Sequence, residues 1–371
     1  MFNLQEALEA IKDKPEFGVS HRPYGTVIDY NVSMRDTFVG KTARQTVILQ
    51  NLRGTIFDES GKIIRLAYHK FHNLNENEEY AEANFDFKDG NWIEEKLDGS
   101  MVTPIGGNHP EWANRLATRA GNTDVAQKAE AFLQNHFLRD EYHRFFSDCR
   151  AVGFTPIFEY VSRDQRIVID YPKTDLILTG VRSNETGEYI DLQNYLKIPR
   201  VPRFFIRDMT IGEYAKVIKN NSGTEGVVVK FTDGRIVKIK TEEYVRQHRA
   251  IDGLRFEKDV LKLILNNEVD DVLAIVNNDM KRRLEAYRDQ VISRISLCNS
   301  ELNELIMKYS TITDRKQFAN IIKDSPYRTE LFKSRDGKEV NMKDRLLANT
   351  SSQTTVDSVR WLIGERNWYE I

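Results

Sequence analysis

The hydrophobic period changes once along this chain of 371 residues, close to residue 250. That change narrows the folds open to it. From about residue 20 to 245, apolar residues come in short runs bounded by turn signals: Asp58-Glu59-Ser60-Gly61, Asp89-Gly90, Asn184-Glu185-Thr186-Gly187 and Asp233-Gly234. The runs 46–49, 62–68, 154–161, 166–171, 175–181 and 226–231 are rich in Ile, Val, Phe and Tyr, which suits strands. Helical patterns interrupt them at 125–137, 141–152 and 211–219. Beyond residue 250, Leu284, Tyr287, Val291, Ile295, Cys298, Leu302 and Leu305 recur at spacings of three and four, one apolar face of a long helix. Further helical patterns cover 255–265, 315–323 and 356–363. The expectation is an α+β region over 1–249 followed by an all-helical C-terminal region over 250–371. Residues 1–29 suggest only an amphipathic helix.

Charge excludes one broad class. Lys plus Arg number 54 against 56 Asp plus Glu, a formal net charge of −2. Residues 251–371 hold 20 basic and 20 acidic side chains, which leaves 34 and 36 before them. Neither part is a bulk cation of the kind that grips nucleic acid through total charge, so any polyanion must be met by a few placed charges. Cys149 and Cys298 are too few for a disulfide framework or a cysteine-based zinc site. No apolar run approaches the roughly 18 residues that span a bilayer. Glu6 and Glu9 stand where a signal peptide would be basic and then apolar. A cytoplasmic protein with no membrane partner is expected (host cytosol if viral).

The sharpest local signal is Glu94-Glu95-Lys96-Leu97-Asp98-Gly99-Ser100, which follows the strand-like Asn91-Trp92-Ile93. A lysine amine attacks phosphorus only when neutral, so it needs desolvation or neighbouring positive charge. The Asp-Gly turn fixes the strand end and lets backbone approach a ligand closely. Such a string is equally at home in a surface hairpin, so Lys96 gains weight only from its companions. Glu159 sits inside an apolar run, where it is either solvated or held for a ligand or metal. Glu225-Gly226 opens the apolar run 227–229. In Lys238-Ile239-Lys240, period two puts both lysines on one strand face, an arrangement best tolerated with an anion between them; a lysine-defended edge strand is the bland alternative. Arg53 and Lys70 add cations beside apolar residues. No G-x-x-x-x-G-K-[ST] loop, H-E-x-x-H spacing or G-x-S-x-G elbow occurs.

In this order, Lys96-Leu97-Asp98-Gly99-Ser100, Glu159, Glu225-Gly226 and Lys238-Ile239-Lys240 resemble the motifs of the covalent nucleotidyltransferases, the ATP-dependent ligases and messenger-RNA capping enzymes. Ser100 and Met101 look more like the RNA ligases than the DNA ligases. The chain is most similar to the RNA ligase 1 family of T-even phages, through Arg53-Gly54, Lys70-Phe71, Asn73-Leu74-Asn75-Glu76 and 184–190 as well. The resemblance runs through most of 30–250 and fades in the helical region. It implies an antiparallel-sheet nucleotidyltransferase (adenylation) domain, with Lys96 as the nucleophile that forms a lysyl-AMP adduct. Arg53, Lys70, Lys238 and Lys240 would hold the triphosphate. Glu159 would contact the ribose or the metal shell, Glu225 would position the metal, Tyr30 would help hold the nucleotide, and Asp270 would hold a second magnesium. Departures are Thr118-Arg119-Ala120-Gly121, where the family reads S-K-G-S, and His72, where it has phenylalanine. Arg119 keeps the charge of the missing lysine.

The resemblance implies a monomeric ATP-dependent RNA ligase using Mg2+, with Mn2+ able to substitute, on single-stranded or loop-broken RNA such as tRNA. Tyr244, Arg246, His248 and Arg249 are candidates to meet that RNA, or else form a linker helix. Two other classes stay open at this point: a GTP-dependent capping-type guanylyltransferase or DNA ligase, and a non-enzymatic RNA- or nucleotide-binding module.

Overall fold

In the computed structural model, residues 1–34, 36–191, 197–273, 276 and 278–371 are described, the side chains of residues 165 and 271 excepted. The chain divides into two compact units, Met1–Val245 and Arg246–Ile371.

Three antiparallel sheets of four strands build the first unit. The first sheet is β1 (Phe17–Arg22), β2 (Gly25–Tyr30), β3 (Thr55–Phe57) and β4 (Ile63–Arg65), in that order. Helices α1 (Leu4–Ile11) and α2 (Ala43–Asn51) cover it through Ala7, Ile48 and Leu49, packed on Ile28 and Phe57. Beyond it come β5 (Asn91–Glu95), β6 (Ser100–Pro104), β7 (Leu116–Ala117), β8 (Phe154–Val161), β9 (Asp175–Ser183), β10 (Arg203–Phe204), β11 (Gly226–Phe231) and β12 (Ile236–Lys240). These make the two other sheets, ordered β7-β6-β8-β9 and β10-β5-β11-β12. Helices α3 (Asp124–Gln134) and α4 (Arg139–Ala151) bury Leu133, Tyr142 and Phe146 against Phe158 and Leu178 of the former. Helix α5 (Ile211–Lys219) packs Ile211, Tyr214 and Ile218 on Ile93, Val229, Val237 and Ile239 of the latter. With that face buried, alternation along β5 and β12 turns Glu94, Lys238 and Lys240 to the other side.

Three expectations need correction. Residues 46–49 lie in α2 rather than in a strand: the Thr42 hydroxyl accepts from the Gln45 N–H at 3.1 Å, and a four-residue apolar run has no period of its own to resist the cap. Residues 166–171 form a loop, because Val168 and Ile169 donate their N–H groups to the Asp98 carboxylate, both at 2.8 Å, instead of to a neighbouring strand. The first 29 residues hold, besides the helix, the β1–β2 hairpin; β1 is exposed after its first two residues, so it lacks an alternating signal.

Helix α6 (Glu242–Gly253) carries the chain into the second unit, whose described elements are helical: α7 (Glu257–Leu265), α8 (Val269–Leu273), α9 (Asn278–Tyr309), α10 (Arg315–Ile321), α11 (Arg328–Arg335), α12 (Met342–Ala348) and α13 (Gln353–Ser358), with short 3-10 turns after them. The long α9 buries Leu284, Tyr287, Val291, Cys298 and Leu302 as one stripe. The helical pattern at 356–363 splits between α13 and a 3-10 turn at Arg360–Leu362. Within this core Glu257 is fully buried and accepts from both Arg360 Nη atoms at 2.6 Å, from Gln353 Nε2 at 2.8 Å and from the Trp368 N–H at 3.1 Å. Among the described residues no helix is long and apolar enough to cross a membrane.

Candidate active site

Lys96 leaves the end of β5 with its backbone N–H still bonded to the Gly226 carbonyl at 2.9 Å, so the sheet itself holds the residue. The turn that follows is fixed from below by Asp98. Its carboxylate accepts from the Val168 and Ile169 N–H groups and, at 2.7 Å, from the Tyr244 hydroxyl, while its own N–H donates to Tyr171 Oη at 2.8 Å. Gly99 is required sterically: a Cβ there would lie 2.5 Å from the Tyr160 carbonyl oxygen. Glu225 is 3 % exposed and sits between two lysines, with Oε2 at 2.8 Å from Lys96 Nζ and Oε1 at 2.8 Å from Lys240 Nζ. The anion between Lys240 of β12 and the nucleophile candidate is thus a carboxylate of the protein.

A cavity of about 310 Å³ opens on Lys96, bordered by Arg53, Lys70, Lys238 and Glu159. Lys238 is held in place on both sides of its peptide: its N–H donates to the His72 carbonyl and its carbonyl accepts from the Leu74 N–H. Burial, and then the nearby Lys70, Lys96 and Lys240, push its ammonium down to about 8. Lys70 is likewise lowered, first by burial. Arg53 Nη1 donates to the His69 carbonyl at 3.0 Å, while its buried Nε has no hydrogen-bond partner. Burial pushes Glu159 up to about 8, against the downward pull of Lys96 and with further upward pressure from Glu225 and Asp98. The cations Arg53, Lys70, Lys96 and Lys238 and the Glu159 carboxyl therefore border one cavity. Such a surface suits a polyphosphate carried with a divalent cation.

Of the residues singled out in the sequence, Arg53, Lys70, Lys96, Glu159 and Lys238 line this cavity, and Glu225 and Lys240 pair beside it. Tyr30 and Arg119 form a separate group. Arg119 Nη1 pairs with Asp29 at 2.8 Å, and its guanidinium lies 4.0 Å from the centre of the Tyr30 ring. Gly54, at a φ of 72°, packs against the Arg119 backbone. Asp270 belongs to α8 of the second unit and is exposed; the side chain of Asp271 lies outside the described ones. Tyr244 does not offer its ring to solvent: it is buried, with its hydroxyl on Asp98.

Sequence reasoning missed the charged floor of the cavity. Lys230, 4 % exposed, donates to Glu94, to the Tyr68 hydroxyl at 3.0 Å and to the Thr179 carbonyl at 2.6 Å. Arg203 Nε donates to the other Glu94 oxygen at 2.7 Å. Glu94, Tyr68, Thr179 and Lys230 all border the cavity. A signal existed, since counting back two from Lys96 puts Glu94 on its face of the strand, and Lys230 closes an otherwise apolar run.

Comparisons with known proteins bear on the same region. The family model described as RNA ligase matches residues 51–244, which include every residue lining the cavity. An inferred RNA ligase of Thermovibrio ammonificans is 30 % identical over 309 residues, covering 79 % of this chain and 76 % of that protein. An inferred bifunctional polynucleotide kinase/RNA ligase of Autographa californica nuclear polyhedrosis virus is 24 % identical over 88 % of this chain, which spans about half (47 %) of its length. The solved structure of an archaeal ATP-dependent RNA ligase overlaps with a TM-score of 0.43 at 14 % identity, over 95 % of this chain and 77 % of that one. That overlap is too loose to argue from, and the sequence matches carry the assignment. With its matched segment spanning the Lys96 cavity, the chain belongs to the RNA ligase family.

Proposed function

We propose that this RNA ligase is ATP-dependent and works through a covalent lysyl-AMP intermediate formed on Lys96. The observation that carries the reading is the cavity that brings Lys96, Arg53, Lys70 and Lys238 around one space of nucleotide dimensions. Lys96 Nζ attacks the α-phosphorus of ATP; a P–N bond forms, the bond to the bridging oxygen breaks, and pyrophosphate leaves. Glu225, 2.8 Å from that nitrogen, is placed to take its proton. Arg53, Lys70 and Lys238 bind the phosphates and meet the charge that develops on transfer, with Lys240 acting from beside them through Glu225. A 5′-phosphate of RNA then takes AMP from Lys96, and a 3′-hydroxyl displaces AMP to seal the strand. Tyr30, at the end of β2, and Arg119, in the turn after β7, flank the nucleotide in this reading. The substrate we infer is broken single-stranded RNA, such as a cleaved tRNA loop, joined by a monomer in the cytoplasm. Residues 1–249 form the adenylation domain in this reading. The helical domain over 250–371 contributes Asp270 to a second metal.

Mg2+, or Mn2+ in its place, would neutralise phosphate charge during the transfer. Glu159 fits such an ion, because it borders the cavity and burial disfavours its charge even with Lys96 near, a cost that a bound cation would offset. Glu225 fits less directly, since each of its oxygens already meets an ammonium. Among the described residues no three His, Cys, Asp or Glu side chains cluster to hold a metal alone. Glu159 would therefore share the ion with phosphate oxygens and water.

Intact mass after incubation with Mg2+ and each nucleoside triphosphate tests the reading. An AMP adduct with ATP alone, absent in Lys96→Ala, is expected. A GMP adduct would point to capping chemistry, and no adduct at all would leave an RNA- or nucleotide-binding module.

A further inference from the structure

The strand that delivers Lys96 borders a second cavity near its other end. Trp92 of β5 lines a space of about 550 Å³ together with Lys88, Asp191, Phe205 and Arg207. Period two puts Trp92 on the same face of β5 as Glu94. One guanidinium joins the two cavities. Arg203 donates to Glu94, in the wall of the first, and at 2.7 Å to Asp191, in the wall of the second, while lying 5.1 Å from the Trp92 ring centre.

The chemistry of this second space differs from that of the first. Arg203-Phe204-Phe205-Ile206-Arg207 interleaves cations with aromatic rings, and Phe204 and Phe205 are 40 % and 58 % exposed. Adjacent exposed phenylalanines are unfavourable in water unless something covers them. Lys88 and Arg207 are exposed and have no ion-pair partner among the described residues; the one acid of the wall, Asp191, is already taken by Arg203. Aromatic faces flanked by uncommitted cations suit single-stranded nucleic acid, whose bases stack while its phosphates seek positive charge.

We propose that this second cavity is an RNA subsite: a base of the strand being joined stacks on Phe205, and Arg207 and Lys88 meet the phosphates beside it. The proposal rests on the ligase reading above. Trp92 lies four strand residues from Lys96, roughly 13 Å at the usual rise. The subsite therefore grips RNA a short single-stranded span from the end that reacts.

The test uses the full chain, a short fluorescent 5′-phosphorylated single-stranded RNA, and the variants Phe205→Ala and Arg207→Ala. Fluorescence anisotropy should show Phe205→Ala weakening RNA binding by about tenfold. Arg207→Ala should lower the slope of log affinity against log salt by about one. AMP adducts should form on both variants as on the parent protein. If the parent protein forms no adduct with any triphosphate, the ligase reading fails. Normal adducts with unchanged RNA binding in both variants sink the subsite alone. Sedimentation supplies the remaining outcome: a dimer that Phe205→Ala dissociates, with RNA affinity intact, would make the patch a contact between copies and overturn the proposal.

Discussion

A lysine whose ammonium titrates near 8 is poised differently from one on a surface. Lys238 owes that value to burial and to Lys70, Lys96 and Lys240 close by. Its charge is present below about 8 and fades above, so an anionic ligand that needs the charge should bind less well as pH rises. We expect the affinity for α,β-methylene-ATP, which blocks transfer, to fall by several-fold between pH 7 and 9.5 in titration calorimetry, with proton uptake on binding. Lys238→Arg should flatten the profile, because arginine keeps its charge throughout. A parent profile already flat over that range would remove Lys238 from phosphate binding. The shared face of Lys238 and Lys240 was legible in the sequence, because strand alternation alone fixes it. Glu225 as the shared counter-ion of Lys96 and Lys240 was not, since no local pattern reveals which acid a fold will bring between two lysines.

At the scale of elements, the site depends on a loop that bonds to a side chain. Residues 166–171 read as a strand by composition, yet Val168 and Ile169 turn their N–H groups to Asp98, and Tyr244 adds its hydroxyl at the start of α6. Asp98→Ala should therefore cost about 1.5–3 kcal/mol in urea unfolding, the range for losing a hydrogen bond to a charged group. It should also open the loop over 162–174 to limited proteolysis. Unchanged protease resistance would show that the loop holds its shape without Asp98. By contrast, β8, β9 and β11 follow closely from their apolar runs, because each pairs with neighbours and is buried at most of its positions, as a continuous apolar run requires. The missed β1–β2 hairpin and the misread 46–49 mark the limits of periodicity: a polar, exposed strand carries no period, and a run of four fits either helix or strand.

At the scale of the whole molecule, the second unit has its own core and its own buried charge. Burial alone would raise Glu257, but Arg360, Tyr287, Gln353 and the Trp368 N–H together bring it down to about 2. A carboxyl lowered on folding adds stability above its ordinary value of 4.5, and that stability is lost as pH falls toward 2. Arg360→Ala leaves the carboxylate buried with its cation gone and should cost this unit about 3–5 kcal/mol. Calorimetry near pH 7 checks this; a melt unchanged from the parent would mean that Glu257 escapes to water. Because Arg360 lies far along the sequence from the Lys96 motif, AMP-adduct formation at low temperature serves as a separate readout of the first unit. The change of hydrophobic period near residue 250 marked where helices take over, but the charge at the centre of the helical core gave no such sign. A glutamate at the first turn of a helix is commonplace, and only the fold shows that this one is enclosed.

The position of Glu225 has a consequence for the order of events. Before reaction it is shared by two ammonium groups, one on each oxygen. Under the proposed chemistry, a phosphoramidate nitrogen at Lys96 no longer carries the positive charge that Glu225 had balanced, and an anionic phosphate arrives next to it. Once the proton it took has passed to water, the carboxylate is left facing Lys240 alone and repels its new neighbour. Loading would thus weaken the pocket's hold on the nucleotide it has just accepted, biasing the adduct toward handing AMP onward.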